Sequence, residues 1–311
     1  MGGAKSTDRP AEPHVALAIG LRLLAALSLA IMFAGVKWVS QRGVSFVESL
    51  FYRQIGTAAC AATWVALGPG IATLRTKRVG AHVARMSIGV VAMGLNFLAM
   101  IILPLAEATS IGFSAPIFST MLAALLLGEP TGKWRWGAVL VGFLGVLVIV
   151  QPGGTHIDGY SELVAVGAAL STACATIAIR RLGQTEAAGT TVFWFGASSL
   201  IPLGIVMLFV ARPHDALTFA AITGVAVSGG IAQLALTGAL RLAPVAVVLP
   251  MDYSSLLWAS LFGWLLFDQV PSRWTWVGAP IVIGAGLVIL WREQRLRLLK
   301  NAVAAVPEVN E

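Results

Sequence analysis

Apolar runs of about twenty residues, broken by short polar or glycine- and proline-containing connections, repeat along the whole chain. They lie at roughly 16–38, 44–67, 80–102, 105–127, 134–151, 159–179, 189–211, 217–240, 243–267 and 274–291, and each is long enough to cross a hydrocarbon layer of about 30 Å as a helix. The breaks fall at Gly43, Gly68-Pro69-Gly70, Pro104, Glu129-Pro130, Pro152-Gly153-Gly154, Gly183, Pro213, Arg241 and Pro271, residue types that interrupt helices or hold a chain end in water. The connections are too short to hold a soluble domain. This pattern predicts an all-α polytopic membrane protein of ten transmembrane helices with both termini on one side.

Composition agrees. The chain is 58% hydrophobic and 11% charged, against about 25% charged in soluble domains. Its formal charge is +7, but the basic residues are spread among connections instead of clustering with aromatics, so lipid headgroups and not nucleic acid are the expected partners. With the N-terminus inside, the inner segments hold Lys5, Arg9, Arg75, Lys77, Arg78, Lys133, Arg135, Arg180, Arg181, Arg241, Arg292, Arg295, Arg297 and Lys300. The outer ones hold only Lys37, Arg42, Arg212 and Arg273. The positive-inside rule therefore puts both ends in the cytoplasm, with Arg22 and Arg85 near inner helix ends where they can snorkel. Residues 1–15 read as a retained cytoplasmic tail without a cleavage site, and 292–311 as a basic cytoplasmic tail.

The chain also repeats itself. Pro104–Gln151 combines Ser, Thr and a mid-helix Pro, then an acidic turn at Glu129, then Trp134 and Trp136. Leu242–Trp291 repeats the order with Asp268, Trp274 and Trp276. The two repeats are expected at 16–151 and 159–291. A unit of five spans is odd, so the second copy enters the membrane from the opposite face. Such inverted repeats place a binding site near the midplane between the halves and permit alternating access.

The motifs that carry a family resemblance are Phe51-x-Arg53, Asn96-Phe97, Leu103-Pro104-Leu105-Ala106, Ala115-Pro116, Leu127-Gly128-Glu129 and Trp134-x-Trp136-Gly137 with Gly142 and Gly145. On these residues the chain resembles the drug/metabolite transporter superfamily, in its EamA-type branch of ten-helix carriers. The match is better in the first half, since Asp268 stands where the pattern has Glu. The resemblance implies secondary transport of a small organic metabolite through a cavity built from spans 1, 3, 4, 6, 8 and 9. Members move riboflavin, S-adenosylmethionine, amino acids and other metabolites, in either direction.

Several residues are candidates for the chemistry. Arg53 and Asp252 each lie about nine residues into a span, near the midplane, where an ionised group costs about 2.5–3.5 kcal/mol on insertion scales. They pair, or Asp252 couples proton movement while Arg53 holds an anion, or each is satisfied locally, Asp252 by Tyr253, Ser254 or Ser255. Glu107, Ser110, Ser114, Ile117 and Met121 share one helix stripe beside Pro116, which frees a carbonyl near residue 112 for a neighbour, water or cargo. The other reading is a hinge whose hydroxyls bond back to their own helix. Glu48 and Glu162 read as charges at helix ends that reach water.

Met86, Gly89, Met93, Asn96 and Met100 form a second stripe, in which methionine suits a flat ring but is also ordinary filler. Gly230 and Gln233 share a face that offers close backbone approach and a two-way amide. Trp258 follows Met251 and Ser255 on one face and can stack on planar cargo. The expected cargo-binding set is therefore Asn96, Ser110, Ser114, Pro116, Gln233, Asp252, Tyr253 and Trp258, with Arg53, Asp252 and Glu107 as coupling or structural charges. Ala138, Gly142, Gly145, Pro280 and Gly284 are small positions for scaffold packing or a homodimer.

Other classes find little support. His14, His82, His156 and His214 sit at or outside span ends without a nucleophile or metal partner, and no P-loop is present. Cys60 and Cys174 lie in apolar runs as packing residues. No catalytic residue, metal or cofactor is expected. Together with the inverted repeat, the family resemblance implies a secondary transporter in a bacterial inner membrane, with a non-transporting accessory protein as the alternative. Within the range of cargo that the resemblance implies, the Met, Trp and amide content tilts the expectation toward a planar, hydrogen-bonding molecule of the riboflavin type taken up into the cell, with S-adenosylmethionine or an amino acid close behind.

Overall fold

The structure is a computed structural model that describes residues 15–127, 133–150, 158–182, 185–242 and 249–304. Helices account for almost all of them, and no strand occurs among the described residues. The first half holds α1 (Val15–Ser40), α2 (Phe46–Leu67), α3 (Val79–Ile102), α4 (Leu105–Gly112), α5 (Ala115–Leu127) and α6 (Lys133–Val150). The second holds α7 (Gly159–Leu182), α8 (Ala188–Val210), α9 (Ala216–Leu242), α10 (Ser254–Phe267) and α11 (Arg273–Ala304). By length and composition, five of the described helices, α1, α3, α7, α8 and α9, are long and apolar enough to cross a membrane alone.

α2 is less apolar because its polar residues point into the protein. Glu48, Ser49, Arg53, Gln54 and Thr57 are buried, whereas Phe46 and Ile55 are exposed. In lipid the outside of a bundle is as apolar as the core, so helices associate through close packing and polar contacts rather than water exclusion. α1 shows the same logic with size. Ala18, Ala25, Ala26, Ala30 and Ala34 face inward, while Leu17, Leu24 and Ile31 face out.

The two halves interlock about a pseudo-twofold axis. α1 packs on α9 as α7 packs on α3, α2 on α9 as α8 on α3, and α1 on α10 as α7 on α4 and α5. The pairs α2–α8, α4–α10 and α6–α11 each bring a helix onto its own counterpart. A constant shift of 140 residues relates the end of each repeat, since α6 begins at Lys133 and α11 at Arg273. A Cβ on Gly142 would meet Ala285 at 3.0 Å, and one on Gly145 would meet Val282 at 2.9 Å. Those two contacts exchange under the same shift. The small-residue stripe thus joins the repeats within the chain, and five spans per repeat make the repeats inverted.

Three features differ from the sequence expectation. The fourth span is two helices, because the chain turns at Phe113-Ser114 and α5 restarts with Pro116 in its first turn, where a missing N–H removes no helical bond. Within the ninth span the described chain begins with a 3-10 turn, Leu249–Tyr253, so Asp252 precedes α10 instead of lying inside it. The last helix continues through the basic segment to Ala304. Asp268 ends α10 in the left-handed region with φ 53°, its N–H bonded to the carbonyl of Trp264 at 3.2 Å, a conformation that short Asp tolerates better than Glu. The tails at 1–14 and 305–311, Glu129 and the side chain of Trp134 lie outside the described residues.

Candidate functional site

A cavity of about 460 Å³ lies between the repeats. Its walls come from α1 (Ala26, Leu29, Ala30, Phe33), α3 (Met100), α4 and α5 (Thr109, Gly112, Phe113, Pro116, Ser119), α7 (Thr172, Thr176), α9 (Leu236) and the α10 region (Asp252, Tyr253, Ser255, Ala259). These are spans 1, 3, 4, 6, 8 and 9. The volume falls in the range of about 300–1,000 Å³ typical of small-molecule sites.

The helix breaks build the centre of this cavity. Under the 140-residue shift Phe113 corresponds to Tyr253, and their rings meet edge to face at 5.0 Å. The following serines are related too: Ser114 Oγ donates to the carbonyl of Ile111 at 2.6 Å, and Ser254 Oγ to that of Met251 at 2.7 Å. One turn is therefore made twice, and the two copies touch at the axis. The residue before each aromatic breaks the symmetry, being Gly112 in one copy and Asp252 in the other. A Cβ on Gly112 would meet nothing within 4 Å.

Asp252 does not pair with Arg53. Its two carboxylate oxygens accept from Nε and Nη2 of Arg22 on α1. Arg22, which the sequence leaves as a snorkelling end charge, has a side chain only 5% exposed, against 40% for Asp252. The cavity thus meets a carboxylate already neutralised from behind. Arg53 is buried beside α8, where Nη1 donates to Gln54, Gln54 donates to Ser199 at 2.7 Å, and the guanidinium lies 5.9 Å from the Phe195 ring.

Hydroxyls in the wall have defined roles. Thr109 and Thr176 donate to their own helices at 2.7 and 2.9 Å, so they face the cavity as acceptors. Asn96 does not line the cavity; its amide donates to Thr172 Oγ1 at 2.9 Å and to Ala92 at 2.8 Å, which positions Thr172. Ser110 is buried and donates to Ala106 at 2.7 Å. Ser110 and Ser114 follow the hinge reading, each bonding back to its own helix.

Gln233 is elsewhere. It lines a separate small recess with Thr57, Cys60 and Trp64, next to the close approach in which a Cβ on Gly230 would meet Cys60 Sγ at 2.3 Å. Trp258 is partly buried outside the cavity wall, with Nε1 buried and unbonded.

A buried charged cluster lies next to the cavity-lining residues Met100 and Leu105. Lys37, expected in an outer connection, is buried, and its Nζ donates to the carbonyls of Leu103 and, at 3.3 Å, Met100. It lies 5.6 Å from the Phe267 ring and within electrostatic range of the buried Glu107. This ties together the end of α1, the end of α3, the start of α4 and the end of α10. Glu48 is likewise buried, not in water: it closes a capping box with Ser45 and meets His214 at 3.1 Å.

Sequence reasoning missed Arg22 and Lys37 as interior charges. For Arg22 a signal existed, since an acid in one apolar span calls for a base in another. No cluster of acidic, His and Cys residues able to hold a metal occurs among the described residues.

The model of the EamA-like transporter family matches residues 16–151 and again 159–291. The chain is 27% identical over 233 residues to a riboflavin transporter of Vibrio cholerae, covering 74% of this chain and 78% of that one. It is 26% identical over 298 residues to a riboflavin transporter of Rhizobium johnstonii, covering 95% and 98%. It is also 27% identical over 235 residues to an S-adenosylmethionine uptake transporter of Rickettsia felis, covering 74% and 78%. A family model that fits both halves of a duplicated, membrane-spanning helical bundle makes this protein a transporter and not an enzyme: the chain belongs to the EamA-like transporter family.

Proposed function

We propose that this transporter takes up an uncharged, planar, hydrogen-bonding metabolite, riboflavin in the first instance, by alternating access across a bacterial inner membrane, with both termini cytoplasmic. The observation that carries the reading is the lining of the central cavity. Phe33, Phe113 and Tyr253 offer aromatic surface, and Thr109, Thr172 and Thr176 offer hydroxyls. A tricyclic ring with an imide edge and a polyol chain needs both. The pairing of Asp252 with Arg22 favours a neutral cargo, because a cation would have to compete for a carboxylate that is already bound bidentately. The relatives from Vibrio cholerae and Rhizobium johnstonii carry the name riboflavin transporter, which supports the same choice.

Alternating access rests on the duplicated breaks at Phe113-Ser114 and Tyr253-Ser254, which allow α4 and α5, and the corresponding segments of the ninth span, to swing about the axis. In this reading the Lys37–Glu107 cluster, beside the cavity-lining Met100 and Leu105 on the side that the charge rule puts outside, serves as the outer closure. A thermal-shift screen of the purified protein against flavins, S-adenosylmethionine, amino acids and nucleosides tests the cargo. Stabilisation by riboflavin is expected. No shift with flavins, beside a clear shift with another class, refutes it.

A further inference from the structure

A second cavity, of about 430 Å³, lies between the start of α3 and the end of α7. Arg78, Arg85 and Arg181 line it together with Ala81, Ala84, Ile88, Ile177 and Ala178. We propose that this cavity binds the phosphate headgroup and upper acyl chain of an anionic phospholipid.

Charge comes first. Guanidinium groups stay protonated, and none of the three arginines is ion-paired with a carboxylate among the described residues. Arg78 donates to the Thr185 hydroxyl at 2.6 Å. The Arg85 guanidinium lies over the Phe195 ring, 4.2 Å from its centroid, with Nε and Nη1 buried and unbonded. Arg53 approaches the same ring, adding positive charge behind it. Glu186 does not line the cavity; it accepts from Thr76 at 2.7 Å and lies 3.9 Å from His82. Three guanidinium groups around one hollow, none paired with a carboxylate among the described residues, call for an oxyanion, since unpaired charge at a helix end in lipid is costly.

The walls select the source of that anion. Between the arginines they are aliphatic, and Val83 and Ile179 beside them are exposed on the bundle exterior. A free phosphate uses the arginines alone, whereas a phospholipid also covers the aliphatic wall. The site lies at the end of the spans that the positive-inside rule assigns to the cytoplasmic leaflet, where anionic lipids attract basic side chains.

The test is native mass spectrometry and lipid titration of the full-length protein with dioleoyl phosphatidylglycerol, dioleoyl phosphatidylcholine and inorganic phosphate. Phosphatidylglycerol is expected to bind the more tightly of the two lipids. Arg181→Gln should weaken it about fivefold, and Arg78→Gln with Arg181→Gln about thirtyfold, from roughly 1 kcal/mol per basic residue. Both residues are at the exposed edge of the site, so these variants keep the fold. Arg292→Gln with Arg295→Gln, on the last helix, removes equal charge elsewhere and should leave binding unchanged. Equal loss in that control, retention of tight binding in the Arg78/Arg181 variant, or competition by inorganic phosphate at the lipid's own concentration would overturn the proposal.

Discussion

The Arg22–Asp252 pair is the interaction whose removal says most about how the cavity is built. Two unit charges 4 Å apart interact by about 4 kcal/mol at an effective dielectric near 20. The Asp252 side chain is 40% exposed, so cavity water screens its end, and about half that value, ~2 kcal/mol, is expected. Arg22→Gln should therefore destabilise the protein by about 2 kcal/mol, and Asp252→Asn by about 3 kcal/mol because it strands the more deeply buried guanidinium. With both changes the loss should remain near 3 kcal/mol, since the second substitution removes a charge the first has already orphaned. Unfolding in detergent, followed by tryptophan fluorescence across the four proteins of the cycle, reads the coupling directly. A coupling of about 2 kcal/mol is expected; independent single effects that add within about 0.5 kcal/mol would refute the pairing.

Two further outcomes follow from local geometry. Gly56→Ala would place a Cβ 2.1 Å from the carbonyl oxygen of Ala226, and backbone cannot yield as a side-chain tip does. A loss of about 1–3 kcal/mol is expected, against none for Gly20→Ala, whose Cβ meets nothing within 4 Å; thermal unfolding of the two variants compares them. At the water-facing ends, hydrogen bonds from the Ser161 hydroxyl and N–H hold the Asp158 carboxyl below its usual range. The hydroxyl and N–H of Thr218 do the same for Asp215. A carboxyl whose folded pKa is depressed stabilises above its unfolded value, about 3.9, and loses that contribution as pH falls through the folded one. Stability should decline with acid below about pH 4, and Asp158→Asn with Asp215→Asn should flatten that decline in unfolding scans.

The apolar spans and the duplication were legible in the sequence because both are set by local signals: apolar length for each span, and Trp-x-Trp after an acidic turn for the repeat. The interior was legible only in part. Pro116 announces a break, but the chain turns at Phe113-Ser114, since Pro is best accommodated in the first turn of the helix that follows. Spacing correctly grouped Gly230 and Gln233 on one face, yet that face meets Cys60 and Thr57 of α2, because helical phase does not say which neighbour a stripe addresses. Arg22 and Asp252 are 230 positions apart, beyond any periodicity. Lys37 and Glu48 look like end charges by position, and only tertiary contacts bury them. The correspondence of Phe113 with Tyr253, which places two rings at the axis, was readable from the repeat but needed the contact to give it meaning.

Reconstituted uptake gives the most direct test of a central cavity that carries a flavin. Gly112 faces open space in that cavity, so Gly112→Phe should fill the site without disturbing the bundle. Proteoliposomes holding the wild-type chain are expected to accumulate riboflavin saturably, and those holding Gly112→Phe, at equal protein and with unfolding temperature preserved, should fall to the level of empty liposomes. Unimpaired riboflavin uptake by the Gly112→Phe protein, or no uptake by the wild type, would contradict it.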